Sequence, residues 1–522
     1  MKPFVAPLDD ILFTLTHVAD ADAAPEWDAE MAREIGAHFA AFAEGELAPL
    51  DEPGDRQGCR LENGRVRMPD GFAEAYSAYA DQGWPGLTAP EDHGGQGMGA
   101  LMLAITSEIF SGANHSLQMV TGLVPGATRV LTRFGTDDQQ ARHIPGLASG
   151  ETLATMCLTE PGAGSDLSRI RCRAVQAEGN WQISGEKIFI SGGDQDLSPK
   201  ILHLVLARTS DEGVKGLSLF LCPCTRPDGS RNAVTVTRIE EKMGLHASPT
   251  CQLAFDGAEA ELIGEEGQGL KAMFTMMNHA RADVALQGVA HAARAYDVAS
   301  HYAAERQQGR KADGSPAMLT DHADVQRMLT EIDAAAMGGR AICHLACVAM
   351  DRGDAPDLVE FLTPVAKVAC TEAGTRAAEL GVQVLGGYGY LSEYRLEQTY
   401  RDARIAAIYE GANGIHERML ATRLLSGAPG DAFEAFLSGE DTSGLLPLWQ
   451  RARAHLLSAG DATPLAHDFM ALTVQTLLAA LYARIAASAD KHPQPARLQA
   501  LAAHGIVTAR AFGPAFAVRL GL

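Results

Sequence analysis

The sequence predicts an α+β fold that is mainly α, and three observations carry the prediction. Apolar residues recur at helical spacing through most of the first 150 positions. Short apolar segments, punctuated by Gly, Asp and Pro, then fill about 152 to 260. Helical spacing returns from about 269 and persists to the end. A chain of 522 residues divides into about three domains at roughly 150 residues each. With 46% hydrophobic and 21% charged residues, it is neither disordered, collagenous nor a long coiled coil. The net charge of −22 repels nucleic acid and anionic membrane unless a local basic patch overrides it.

The elements follow in order. Positions 28–50 and 99–134 carry apolar residues at helical spacing, with Ala, Leu and Glu frequent. Between them, Gly83-Trp84-Pro85-Gly86-Leu87 and Pro90-Glu91-Asp92-His93-Gly94-Gly95-Gln96-Gly97 read as a turn-rich loop. Seven short strands are expected at 154–158, 181–183, 187–190, 201–207, 217–221, 234–239 and 251–255, spaced as in an antiparallel β domain. Helices are expected at 269–302, 324–350, 358–385 and 413–425. Gly427-Ala428-Pro429-Gly430 then reads as a linker to an Ala- and Leu-rich helical remainder. The resulting division is a helical region at 1–152, a β domain at 153–262, helices at 263–427 and a further helical segment at 431–522.

Nine cysteines are too sparse for a disulfide scaffold. Cys222 with Cys224, and Cys343 with Cys347, lack a second pair at zinc spacing, so no metal is expected. The first twenty residues contain only Lys2 as a basic group, unlike a signal peptide. No uninterrupted apolar run reaches the roughly 18 to 20 residues of a membrane span. A reduced, cytoplasmic setting is the expectation.

Four stretches carry chemistry. In Met156-Cys157-Leu158-Thr159-Glu160-Pro161-Gly162-Ala163-Gly164-Ser165-Asp166 a strand enters a Gly-rich turn, whose free N–H groups suit an anion or a polar ring edge. Lys187-Ile188-Phe189-Ile190-Ser191-Gly192 places an aromatic ring and a hydroxyl on one strand face, as a planar cofactor needs. Gln383-Val384-Leu385-Gly386-Gly387-Tyr388-Gly389-Tyr390 follows a helix with adjacent glycines that permit close approach of a ligand. Finally, in Ile408-Tyr409-Glu410-Gly411-Ala412-Asn413-Gly414-Ile415 an acid sits between an apolar pair and a glycine turn. Desolvation there would raise its pKa and suit it to proton abstraction near neutrality. The alternative is a capping acid, or one paired with Arg401 or Arg404, and the residues alone leave both readings open.

Taken together and in this order, with Gly86-Leu87-Thr88-Ala89-Pro90-Glu91 before them and Glu240-Glu241-Lys242-Met243-Gly244 among them, these motifs resemble the acyl-CoA dehydrogenase family over about residues 80 to 425. The resemblance implies a helical N-terminal domain, a middle β domain and a C-terminal four-helix bundle, with FAD held between them and a neighbouring subunit of a homodimer or homotetramer. It implies that Leu158 and Thr159 contact the flavin pyrimidine edge and that Ser165 reaches the FAD phosphates and the substrate. Phe189 stands in the place of the usual Trp, and Ser191 in that of the usual Thr near flavin N5. Arg306, Gln383, Gly386 and Gly387 fall on the diphosphate and adenine side, with Ala412 at a further flavin contact. Asn278, Arg281, Tyr409 and Gly411 fall near an acyl-CoA substrate. Some relatives carry the catalytic base immediately before the Arg281 position, which here is Ala280. Alanine cannot take a proton, so the implied base is Glu410. Electron-transferring flavoprotein is the implied acceptor.

Three positions depart from the family pattern. Ala412 replaces a frequent Thr, Gly414 stands near a usual Gln, and Arg306-Gln307-Gln308-Gly309-Arg310 lacks a usual Phe. These departures, with Ala6 to Phe13 and the tail at 431–522, are similar to a larger bacterial branch that includes dehydrogenases of 3-(methylthio)propionyl-CoA. A short-chain acyl-CoA is therefore the expected substrate. The competing readings are an oxygen-using acyl-CoA oxidase and a DNA-binding relative, although 451–522 holds seven basic against three acidic residues without clusters. His93, His246 and His279 read as loop or surface histidines rather than acid–base groups.

Overall fold

The computed structural model describes residues 3–177 and 179–522, so Lys2 lies outside the described residues. The chain forms two compact units, one of 45–98 and 114–280, the other of 1–44, 99–113 and 281–522.

The first unit is built on a seven-stranded sheet: β1 (Thr152–Cys157), β2 (Arg173–Ala177), β3 (Asn180–Ser191), β4 (Lys200–Arg208), β5 (Leu217–Pro223), β6 (Val234–Ile239) and β7 (Thr250–Ile263). The order β1-β4-β2-β3-β7-β5 closes on itself, because β5 also pairs with β4, and β6 lies against β7. The sheet is mostly antiparallel, as expected, but β1 runs parallel to β4 from Thr152↔Lys200 to Cys157↔Val205. Strand β4 is buried along nearly its whole length, which is why its sequence is an almost unbroken apolar run. The two segments expected at 181–183 and 187–190 are one strand, β3. Gly185 does not end it, because its φ of +141° is accommodated within the strand and a Cβ there would lie 2.8 Å from the Cys172 Cα.

The expected all-helical N-terminal region also contains a hairpin, Arg60–Glu62 with Arg65–Arg67. Asp194 holds it by accepting from Arg65 Nε at 2.8 Å and from the Val66 N–H at 2.9 Å. That contact spans more than 120 residues of sequence and has no local signal.

The second unit is helical. Its main elements are α1 (Gly269–Glu305, of which 281–305 belong here), α2 (Ala323–Arg352), α3 (Pro356–Leu385), α4 (Ala428–Ser438), α5 (Leu446–Ser458), α6 (Ala466–Ser488) and α7 (Pro495–Arg519). Helices α1 and α3 approach almost backbone to backbone. A Cβ on Gly288 would sit 2.3 Å from the Cys370 carbonyl oxygen, and one on Gly374 would sit 2.4 Å from that of Gly288. Ala292, Ala295 and Ala299 extend this contact into a core with Ile332, Ala336, Ala377 and Leu380. A second hairpin, Gln307–Arg310 with Pro316–Met318, follows α1.

The segment read as a linker at 427–430 is instead the start of α4, with Gly427 at its N-cap and Pro429 in its first turn. Pro is pre-organised for that position because its missing N–H has no intrahelical partner to lose. The tail packs into the bundle. Phe433 stacks on Phe361 at 4.3 Å, and the Tyr482 hydroxyl donates to the Ala334 carbonyl at 2.6 Å. Arg497 donates to both Asp10 and Asp333, joining the two ends of the chain to α2. Helices Ala323–Arg352, Thr463–Lys491 and Pro495–Arg519 are each long and apolar enough to cross a membrane by length and composition, although none is an uninterrupted apolar run. For Ala323–Arg352 the apolar stretch is 94% buried inside the protein.

Candidate active site

In the sheet unit, the sequence-predicted residues gather where β1 leaves the sheet. The chain turns tightly after Leu158 and Thr159, with Glu160 and Ala163 exchanging backbone hydrogen bonds of 3.0 Å. The Ile188 N–H donates to the Thr159 carbonyl at 2.9 Å, which brings Phe189 beside this turn. Two residues quoted only as parts of motifs hold the arrangement together. Lys187 is fully buried and donates to the Leu158 carbonyl and to Glu160 Oε1, both at 2.8 Å. Glu160 also accepts from the Arg171 and Cys172 N–H groups. The Glu160 carboxylate thus accepts three hydrogen bonds, which offset part of the cost of burying the pair.

Phe189 sits at φ +59° where the β3–β7 register shifts, and its ring is 60% exposed. A non-glycine residue in the left-handed region costs about 1–2 kcal/mol. That backbone conformation accompanies a large apolar side chain held out of the core. Ser191 ends the same strand and Ser165 is exposed on the loop. Asn278 is exposed near the end of this unit. His279 is not a surface residue: it lies against Arg129, and burial and that guanidinium hold it neutral, with its pKa pushed down to about 3. His246 pairs with Asp55 at 2.9 Å.

In the helical unit, Arg281, Tyr409, Glu410 and Gly411 come together. The turn at 410–411 is left-handed, with φ +53° at Glu410 and +95° at Gly411. Gly411 must be glycine, since a Cβ there would meet His416 Nε2 at 2.7 Å. The Glu410 carbonyl accepts from His416 Nε2 at 3.1 Å and from Arg281 Nε at 3.4 Å. Its carboxyl is oriented differently: Oε2 is buried and has no hydrogen-bond partner among the described residues. Burial pushes the Glu410 pKa up to about 7, Asp283 adds to the rise, and Arg281 and Lys367 oppose it. Neither Arg401 nor Arg404 forms the salt bridge left open above. Arg401 pairs with Glu397 at 2.6 Å, and Arg404 is exposed.

Sequence reasoning missed the groups around this turn. Tyr409 donates to Gln287, whose amide donates to Asp283, which in turn accepts from Ser107. Lys367, on α3, reaches the turn from more than 40 residues away in sequence. Farther along the unit, the Arg306 guanidinium lies 5.4 Å from the centre of the Tyr388 ring. Gly386 ends α3 at φ +60°, next to Gln383 and Gly387. A Cβ on Gly386 or Gly387 would have no neighbour within 4 Å, so neither glycine is required by packing within the chain. Ala412 is the N-cap of the short helix Asn413–Met419.

A sheet unit, a helical unit and a left-handed turn carrying a carboxyl oxygen that is buried without a hydrogen-bond partner among the described residues are the features to set beside known proteins. Residues 29–151 match the acyl-CoA dehydrogenase N-terminal domain, 155–258 its middle domain and 267–425 its C-terminal domain. The chain is 42% identical over 446 residues to 3-methylmercaptopropionyl-CoA dehydrogenase of Ruegeria pomeroyi, covering 80% of this chain and 76% of that one. It is 34% identical to a broad-specificity linear acyl-CoA dehydrogenase of Mycobacterium tuberculosis, covering 80% and 74%. An acyl-CoA dehydrogenase of Bacillus anthracis, solved in complex with FAD, shares the fold at a TM-score of 0.81 and 21% identity, over 96% of this chain and 90% of that one. The chain belongs to the acyl-CoA dehydrogenase family, whose members are FAD-dependent oxidoreductases. In the sheet unit, the exposed Phe189 side chain suits a planar ring system such as that of FAD.

Proposed function

We propose that this enzyme oxidises a short-chain acyl-CoA to the trans-2-enoyl-CoA, with Glu410 as the base and 3-(methylthio)propionyl-CoA as the substrate. The observation that carries this reading is the Glu410 carboxyl, whose Oε2 is buried and partnerless and whose pKa is raised to about 7. A general base works best when its pKa lies near the working pH, and burial supplies that here. The substrate assignment is supported by the Ruegeria pomeroyi relative at 42% identity.

Bound FAD supplies the acceptor for the β-hydride. Leu158, Thr159, Ser165, Phe189 and Ser191 would hold its flavin and phosphate portion. Arg306, Gln383, Gly386 and Gly387 would hold its adenine side, with Ala412 close by. Glu410 takes the proton from Cα of the thioester. Its own N–H serves as a donor to the thioester oxygen, where negative charge develops. One such donor is worth about 2.7–4 kcal/mol in the transition state. Arg281 donates to the Glu410 carbonyl, Tyr409 and Gly411 flank Glu410 and would lie beside the substrate, and Asn278 is proposed as a further substrate contact from the sheet unit. Electron-transferring flavoprotein is the proposed electron acceptor, and a homodimer or homotetramer the proposed assembly.

The test is an anaerobic titration of the purified yellow protein with 3-(methylthio)propionyl-CoA and butyryl-CoA. Bleaching of the flavin band by both, at lower concentration for the first, is expected. Bleaching by neither removes the assignment, and rapid oxygen consumption in air would replace the dehydrogenase reading with an oxidase.

A further inference from the structure

Lys367 is fully buried in the middle of α3, and nothing in the reaction proposed above uses it. A buried lysine needs a reason, because desolvating an ammonium is unfavourable unless its donors are met. Its partners all lie on the turn that carries Glu410. Lys367 Nζ donates to the Gly411 carbonyl at 2.8 Å and to Asn413 Oδ1 at 2.9 Å. Asn413 is held in turn, its side-chain N–H donating to Thr371 Oγ1 at 3.2 Å and to Glu372 Oε1 at 3.3 Å. The turn it grips is the strained one, left-handed at both Glu410 and Gly411.

We propose that Lys367 is a positioning residue for the reaction: its ammonium clamps the Gly411 carbonyl and the Asn413 side chain, and so fixes the turn that presents the Glu410 carboxyl. The proposal rests on Glu410 being the base. Three groups then hold the backbone of this turn from three elements, Arg281 from α1, Lys367 from α3 and His416 from the helix after the turn. Lys367 reaches the peptide beyond Glu410 with a 2.8 Å hydrogen bond to its carbonyl, and so opposes relaxation of the left-handed pair. It also brings a positive charge toward the carboxylate that forms when Glu410 is ionised.

The charged and titratable groups around the pair are few. Glu410 is influenced by Arg281, Lys367 and Asp283, and Lys367 by Glu410, Arg281 and Glu372. Burial holds His416 neutral, with Arg281 and Lys367 adding to the effect and its pKa pushed down to about 3. Burial also lowers Lys367, to about 8, so it remains mostly charged at pH 7.

Two substitutions separate its roles. Lys367→Met removes both charge and donors, whereas Lys367→Gln removes the charge and keeps a donor for the Gly411 carbonyl. Each holoenzyme is assayed by stopped flow for the rate of flavin bleaching across pH 5 to 9, alongside its FAD content, melting temperature and acyl-CoA binding. Both variants should move the acid limb of the profile upward by about one pH unit, because a cation that favours the carboxylate is gone. Lys367→Met should also lose about tenfold in maximal rate, with substrate binding unchanged, and Lys367→Gln should recover part of that loss. If Lys367→Met does not fold, the limb of Lys367→Gln alone decides. A wild-type limb and maximal rate in the folded variants would overturn the proposal. Glu410→Gln is run beside them: if it bleaches normally, the base assignment fails, whereas if it is inert and the Lys367 variants behave as wild type, only the role of Lys367 fails.

Discussion

Replacing Glu410 by Gln should stabilise this protein, and should do so in a pH-dependent way. The carboxyl has an ordinary pKa of 4.5, raised to about 7 in the folded protein by burial and by Asp283, against the opposing pull of Arg281 and Lys367. A carboxyl with a raised folded pKa holds its proton more tightly in the native state than in the unfolded one. Stability is therefore lost as pH rises from the unfolded pKa through the folded one. The difference between 4.5 and about 7 corresponds to a loss of about 3 kcal/mol once the pH exceeds 8. Gln has nearly the same shape and does not ionise, so it avoids this loss. The assay is urea unfolding of wild type and variant, both saturated with FAD, at pH 5, 6, 7 and 8. The advantage of the variant should be small at pH 5 and should approach that value at pH 8. An advantage that does not change with pH would refute the claim that burial raises the pKa of the Glu410 carboxyl despite Arg281 and Lys367.

The same group sets the pH dependence of the rate. Glu410 must be ionised to accept a proton, so kcat/KM should rise with pH and level off above about 7, as a steady-state profile would show. Lys187→Met leaves Glu160 buried without its counter-charge; breaking such a pair costs about 3–5 kcal/mol. Because Lys187 also holds the Leu158 carbonyl, the variant should purify with less FAD, read from the ratio of visible to ultraviolet absorbance. Gly288→Ala places a methyl 2.3 Å from the Cys370 carbonyl and forces α1 and α3 apart. Overpacking of this kind costs about 1–3 kcal/mol, which should appear as a lowered melting temperature.

What the sequence revealed was what is local. The helix, sheet, helix order followed from a period near 3.6 changing to 2 and back, and the motif residues sit on the turns their glycines suggested. Glu410 could be singled out as a candidate because its apolar neighbours and following glycine lie beside it. The residues alone left a capping or paired acid equally open, and the family resemblance, with Ala280 at the other position, is what implied Glu410 as the base. Lys367 was not, since its reach to Gly411 depends on how α3 crosses the turn, and no spacing rule encodes that. Lys187 and Glu160 stood in the motifs in plain view, but their pairing is a consequence of sheet register. Punctuation residues misled twice for opposite reasons. Gly185 suggested a strand boundary but is absorbed inside β3, and Gly427 to Gly430 suggested a linker but begins α4. In each case the tertiary setting decided what a permissive residue was for. Likewise, Ala-rich faces could be assigned to helices but not to partners, so the packing of the tail against α2 through Tyr482 was out of reach.

The central claim is that Glu410 removes the α-proton, and it can be tested apart from the redox step. An acyl-CoA without β-hydrogens, such as 3,3-dimethylbutyryl-CoA, cannot give up a hydride but still presents α-protons. Incubated with the enzyme in deuterium oxide and analysed by mass spectrometry, it should gain deuterium at Cα with wild type and none above background with Glu410→Gln. Equal exchange by both proteins would contradict the account, because some other group would then be the base.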